Sequence, residues 1–142
     1  MTKAETATAK ISQSKGGLGG TAVLSTVGAM TANLSVFEIA RAVGVDFNSA
    51  QTPTVGPGTV LAITLAAMTI GWVLGALVAR RNPPQLRAMA IIGGVFAALS
   101  TLMPLTLNIA IAGRLTLASL HLIAGAFYVV GVLVRSDRGV TR

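Results

Sequence analysis

The chain has no cysteine, one histidine, four acidic residues and an aromatic content of 4% in 142 residues. Without cysteine there is neither a disulfide scaffold nor a thiolate metal site. One histidine with so few carboxylates is too small a ligand set for a metal ion. Charged residues make up 11%, less than half of the ~25% usual in soluble domains. Mean hydropathy is +0.76, which excludes a disordered chain and argues against a soluble enzyme. HExxH, a Walker glycine loop and GxSxG are all missing. No catalytic constellation and no cofactor are therefore expected.

What is present is a set of long uncharged windows. Residues 16–37, 47–79, 88–113 and 115–134 carry no Lys, Arg, Asp or Glu. A bilayer core of about 30 Å needs about 20 helical residues, so each window is long enough. The spacing predicts spans at about 21–41, 58–79, 88–107 and 115–134. Soluble core helices would show a charged outer face. A transmembrane barrel would show alternating polar residues. Neither pattern appears. The fold class read from sequence is all-α, a four-transmembrane-helix up-down bundle. Residues 1–20 form a cytoplasmic tail, 21–135 the membrane domain and 136–142 a second tail.

Net charge is +7, with 11 basic residues. With four spans, Lys3, Lys10, Lys15, Arg80, Arg81, Arg87, Arg135, Arg138 and Arg142 share one side, and Arg41 and Arg114 lie on the other. The positive-inside rule then places both termini in the cytoplasm. The basic excess suits anionic lipid headgroups, and no nucleic-acid motif accompanies it. Ala40-Arg41-Ala42 loosely fits a signal-peptide cleavage pattern, but the apolar segment is long for one and contains Asn33 and Glu38.

Turn residues suggest the connections. Pro57-Gly58 suits the entrance to the second helix. Arg81-Asn82-Pro83-Pro84 cannot continue a helix, which predicts a tight antiparallel hairpin of helices two and three. Residues 108–114 make a short link between helices three and four. Short links favour sequential neighbours.

Polar residues within the spans are the places where chemistry could reside. At 1.5 Å per residue, Asn33, Thr64, Ser100, Thr101 and His121 fall at a similar depth in the outer half, each of the four helices contributing. They form a candidate polar pocket, with His121 as its titratable group. The alternative is interhelical hydrogen bonding alone. Glu38 and Arg41, three residues apart, are either a surface charge pair or a gate to that pocket. Pro104 cannot bond the Ser100 carbonyl and is expected to kink its helix. Gly71 and Gly75 form a GxxxG that serves internal packing or dimerisation. Trp72 and Tyr128 lie too deep for an interfacial aromatic belt, and Tyr128 is expected to hydrogen-bond inward.

Ala32-Asn33-Leu34, Leu99-Ser100 with Pro104, and Leu120-His121-Leu122 resemble an uncharacterised family of small four-helix membrane proteins found in actinobacteria. The resemblance covers roughly residues 20–135. It implies a four-span plasma-membrane protein with no established activity, and Asn33, Ser100 and His121 as characteristic polar positions. Small multidrug transporters are similar in size and carry a Glu in helix one. Theirs lies well inside the membrane, whereas Glu38 lies at a helix end and precedes Arg41, which argues against proton-coupled drug export. The expected role is a non-enzymatic accessory or structural subunit of the cell envelope, in contact with lipids and a protein partner or a second copy. The alternative is a small-molecule or proton-coupled carrier or sensor using the polar layer around His121.

Overall fold

The computed structural model describes residues 18–47, 55–81 and 85–140. They form α1 (Leu18–Ala42), α2 (Pro57–Arg81), α3 (Leu86–Ser100), the one-turn α4 (Leu102–Leu105) and α5 (Ile111–Val140). Four stretches are long and apolar enough to cross a membrane: Gly19–Ala42, Pro57–Arg81, Leu86–Leu105 and Ile111–Ser136. Three of the four expected spans lie within these stretches, and the one at 88–107 overlaps Leu86–Leu105 and runs two residues past it. A backbone in hydrocarbon must satisfy its own hydrogen bonds, which a helix does within one segment. The helices extend beyond the expected domain limits, since α1 starts at Leu18 and α5 continues to Val140. Residues 1–17 of the expected tail and the Asn82-Pro83-Pro84 turn lie outside the described residues.

Helix ends follow local chemistry. α2 opens on Pro57, as expected, and the Val60 amide donates to Gly56 O at 3.1 Å. α1 closes in a Schellman motif. Gly44 has φ +86°, the Val45 amide donates to Ala40 O, and the Gly44 amide donates to Arg41 O. Glycine tolerates this left-handed conformation without a Cβ clash. α3 is interrupted at Thr101, just before the buried Pro104, and resumes as α4. This is the expected proline break. Beyond it, Arg114 Nε donates to Ile109 O at 2.9 Å, and a guanidinium nitrogen lies 3.4 Å from Leu105 O. The arginine thus covers carbonyls left free where the chain turns.

The packing order departs from the expectation in one respect. α1 packs on α2, α5 packs on both α1 and α3, and α5 touches every other helix. Along their described lengths helices two and three pack more loosely than the expected tight hairpin, with fewer contacts between α2 and α3 than α1 makes with α2 or α5 with α3. The reason is a side chain from the fourth span. The Tyr128 ring lies between Gly71 of α2 and Gly93 of α3, where an added Cβ at either glycine would strike opposite edges of the ring. Tyr128 thus fills the space that direct α2–α3 packing would need.

Two apolar clusters result. One contains Ala29, Met68, Trp72, Leu86, Ala90, Tyr128 and Val132. The other, towards the Glu38 end, contains Phe37, Ala40, Phe47, Val60, Ile109, Leu117 and Leu120. There the Phe37 and Phe47 rings lie 4.7 Å apart.

Candidate functional site

The buried stripe of α1 runs Ser25, Ala29, Asn33, Phe37, Ala40, and that of α2 runs Val60, Thr64, Met68, Trp72, Gly75. Steps of four, and of three at each stripe's end, keep these positions on one helix face. Asn33 Nδ2 donates to Thr64 Oγ1 at 2.9 Å, and Trp72 Nε1 donates to Ser25 Oγ at 3.0 Å. The step from Ser25 to Asn33 on α1 equals the step from Trp72 back to Thr64 on α2. Both bonds therefore fit one antiparallel register.

Asn33 lies between the two apolar clusters and is 2% exposed. Its Oδ1 is buried with no hydrogen-bond partner among the described residues. A Thr hydroxyl can pair with one end of an amide at a time, so the other end stays unmatched whichever way the amide is turned.

The remaining members of the expected polar layer bond locally. Ser100 Oγ donates to Ala97 O at 2.7 Å and Thr101 Oγ1 to Ala98 O at 2.6 Å. His121 Nδ1 lies 2.9 Å from Leu117 O in its own helix. A carbonyl can only accept, so Nδ1 is the donor in this contact. His121 is half-buried and continues the face that carries Leu117, Gly125 and Tyr128.

Close approaches at glycines fix the levels of the helices. Gly125 meets Ala97, and Gly93 meets Tyr128, which brings Ser100 and Thr101 level with His121. Gly28 meets Phe127 and Gly131 meets Ser25, which brings Asn33 close to the same level. The five residues thus share a depth, but hydrogen bonding across helices joins only Asn33 and Thr64. Two open hollows lie elsewhere, between α1 and α2.

Glu38 and Arg41 form an exposed ion pair at 3.3 Å, and the Arg41 guanidinium stands 5.9 Å from the Phe37 ring centroid. An exposed pair of this kind contributes ~0–1 kcal/mol. Gly71 and Gly75 face Tyr128, whose hydroxyl donates to Gly71 O at 3.3 Å. The GxxxG thus packs internally, and Tyr128 bonds inward as expected. Trp72 meets the Tyr128 ring edge-on with centroids 5.7 Å apart. The Tyr128 slot was not visible in sequence, although the paired small residues were.

Among the described residues no group of three His, Cys, Asp or Glu could hold a metal ion. Neither a curated protein nor a solved structure matches the chain. A family model does match, over residues 13–138. Four apolar helices joined through α5, with buried polar pairs at matched depth, are thus the architecture of a chain that belongs to the family of unknown function DUF6069.

Proposed function

We propose that the chain is a non-enzymatic accessory or structural subunit of the cell envelope. In this reading it spans the plasma membrane four times with both termini cytoplasmic. The observation that supports the role most is where the polar side chains point. Ser25, Trp72 and Tyr128 bond within the helix bundle, and Ser100, Thr101 and His121 bond their own helices. No nucleophile–base pair is formed among them. Meanwhile α3 turns Ile91, Ile92, Val95, Phe96 and Leu99 outward, a face suited to lipid or to another membrane helix. The charge asymmetry supports the orientation, and four long apolar helices support a multi-pass membrane location. Native mass spectrometry after mild detergent extraction tests the role. A stoichiometric protein partner is expected, and a lone chain would overturn the reading.

A second reading, a carrier or sensor for a small polar molecule, is favoured by the unmatched Asn33 Oδ1 at the level of His121. It expects His121→Ala to abolish a ligand- or proton-dependent signal without lowering the thermal midpoint. Loss of stability alone would make the layer structural.

A further inference from the structure

We propose that the outward-facing groove between α1 and α2 is a binding site for an anionic phospholipid. One acyl chain would lie in the groove and the phosphate would pair with Arg80. The inference rests on the membrane-spanning reading and adds a ligand and a site to it.

The groove is an open hollow of about 480 Å³ walled by Val23, Val27 and Met30 of α1 and by Leu65, Trp72 and Val73 of α2. Thr26 and Thr69 are the polar side chains on its walls. A second hollow, of about 220 Å³, adjoins it at Val27 and Met30. Such a surface selects hydrocarbon. Its length also fits. From Leu65 to Ala76 the α2 wall rises about 16 Å at 1.5 Å per residue. That is close to half of the ~30 Å hydrocarbon core, the depth of one leaflet.

The end of the groove supplies the charge. Thr69, Val73 and Ala76 line it, and Arg80 is the next residue on that face, at steps of four, three and four. Arg80 is exposed and makes no hydrogen bond or ion pair among the described residues. By contrast Arg41 and Arg114, at the other end of the bundle, are bonded to Glu38 and to loop carbonyls. Arg81, Arg87 and Arg135 lie at the same end as Arg80, together with Asp137 in the last turns of α5, while Glu38 and Asp46 lie at the opposite end. A phosphate at the mouth of the groove therefore meets a guanidinium with no ion pair among the described residues, which binds phosphate through paired N–H donors.

The chain carries its own reporter, because Trp72 lies on the groove wall and is the single tryptophan. The full-length protein is reconstituted in phosphatidylcholine vesicles doped at low, equal mole fractions with phosphatidylglycerol or phosphatidylcholine bearing brominated acyl chains. Bromine quenches tryptophan on contact. Brominated phosphatidylglycerol is expected to compete for the site about fivefold better, the worth of one basic side chain at an anionic surface. Arg80→Gln should remove the preference, whereas Arg81→Gln, on a different face, should keep it. Unchanged Trp72 emission in both variants would show that they are folded. Equal quenching by both lipids, or a preference that survives Arg80→Gln, would overturn the site and leave the groove to bulk lipid or a partner helix. Absence of quenching by either lipid would overturn the membrane reading itself.

Discussion

Asn33 and Thr64 are unequal partners, and the inequality can be measured. An interhelical hydrogen bond in a membrane contributes about 0.6 kcal/mol on average, whereas a buried polar group without a partner costs about 1–3 kcal/mol. Asn33 already leaves Oδ1 unmatched. Replacing it with leucine removes the bond and the unmatched oxygen together, so Asn33→Leu should leave the thermal midpoint in detergent unchanged or raise it. Thr64→Val removes the only described partner of the buried amide and should destabilise by about 1–3 kcal/mol. A loss on Asn33→Leu as large as that on Thr64→Val would mean that Oδ1 has a stabilising partner. The depth of Asn33 and Thr64 was readable from sequence because helices rise uniformly. Which polar groups would cross between helices was not, because Ser, Thr and His can bond their own backbone, as Ser100, Thr101 and His121 do.

The unit that holds α2 and α3 in place is an aromatic ring between two glycines. A Cβ at Gly71 would come within 3.0 Å of the Tyr128 ring, one at Gly93 closer still, and one at Gly75 only to an ordinary 3.5 Å from the hydroxyl. Overpacking of this sort costs about 1–3 kcal/mol. Gly93→Ala should therefore destabilise, and Gly75→Ala should be tolerated. Combining Gly93→Ala with Tyr128→Ala should cost less than the sum of the two, by about 0.5–3 kcal/mol of coupling. Additive losses in detergent melts would refute the slot. The four long apolar helices were legible because long uncharged runs stand out in the sequence. The neighbour relations were not, since Gly71 and Tyr128 are far apart in the chain and nothing local marks them as partners. One end signal could have been found. Gly44 follows Arg41-Ala42-Val43, and a glycine just past a helical run favours the left-handed cap observed there.

Across the whole molecule, the broad apolar surface and the one-sided charge define how it should sit. In lipid, packing and hydrogen bonding hold helices together, because hydrocarbon is as apolar as the side chains. A thin contact between α2 and α3 is therefore tolerable there. The native lack of cysteine makes orientation directly testable by single-cysteine labelling. Cysteine placed at Asn108, in the link before α5, should react with an impermeant maleimide in intact cells. Cysteine at Ser136, near the opposite end, should react only after permeabilisation. The reverse pattern would invert the topology.

α5 comes last among the described helices and touches every other one. Assembly during synthesis therefore has a fixed order. α1 and α2 can join as soon as both are made, since their two side-chain hydrogen bonds need no other helix. α3 must wait, with Gly93 uncovered, until Tyr128 has been translated. At ~5–20 residues per second, the ribosome needs about 2–6 s to make the 30 residues of α5. A nascent chain stalled just before Ile111 would hold a finished helix pair and a third helix without a seat.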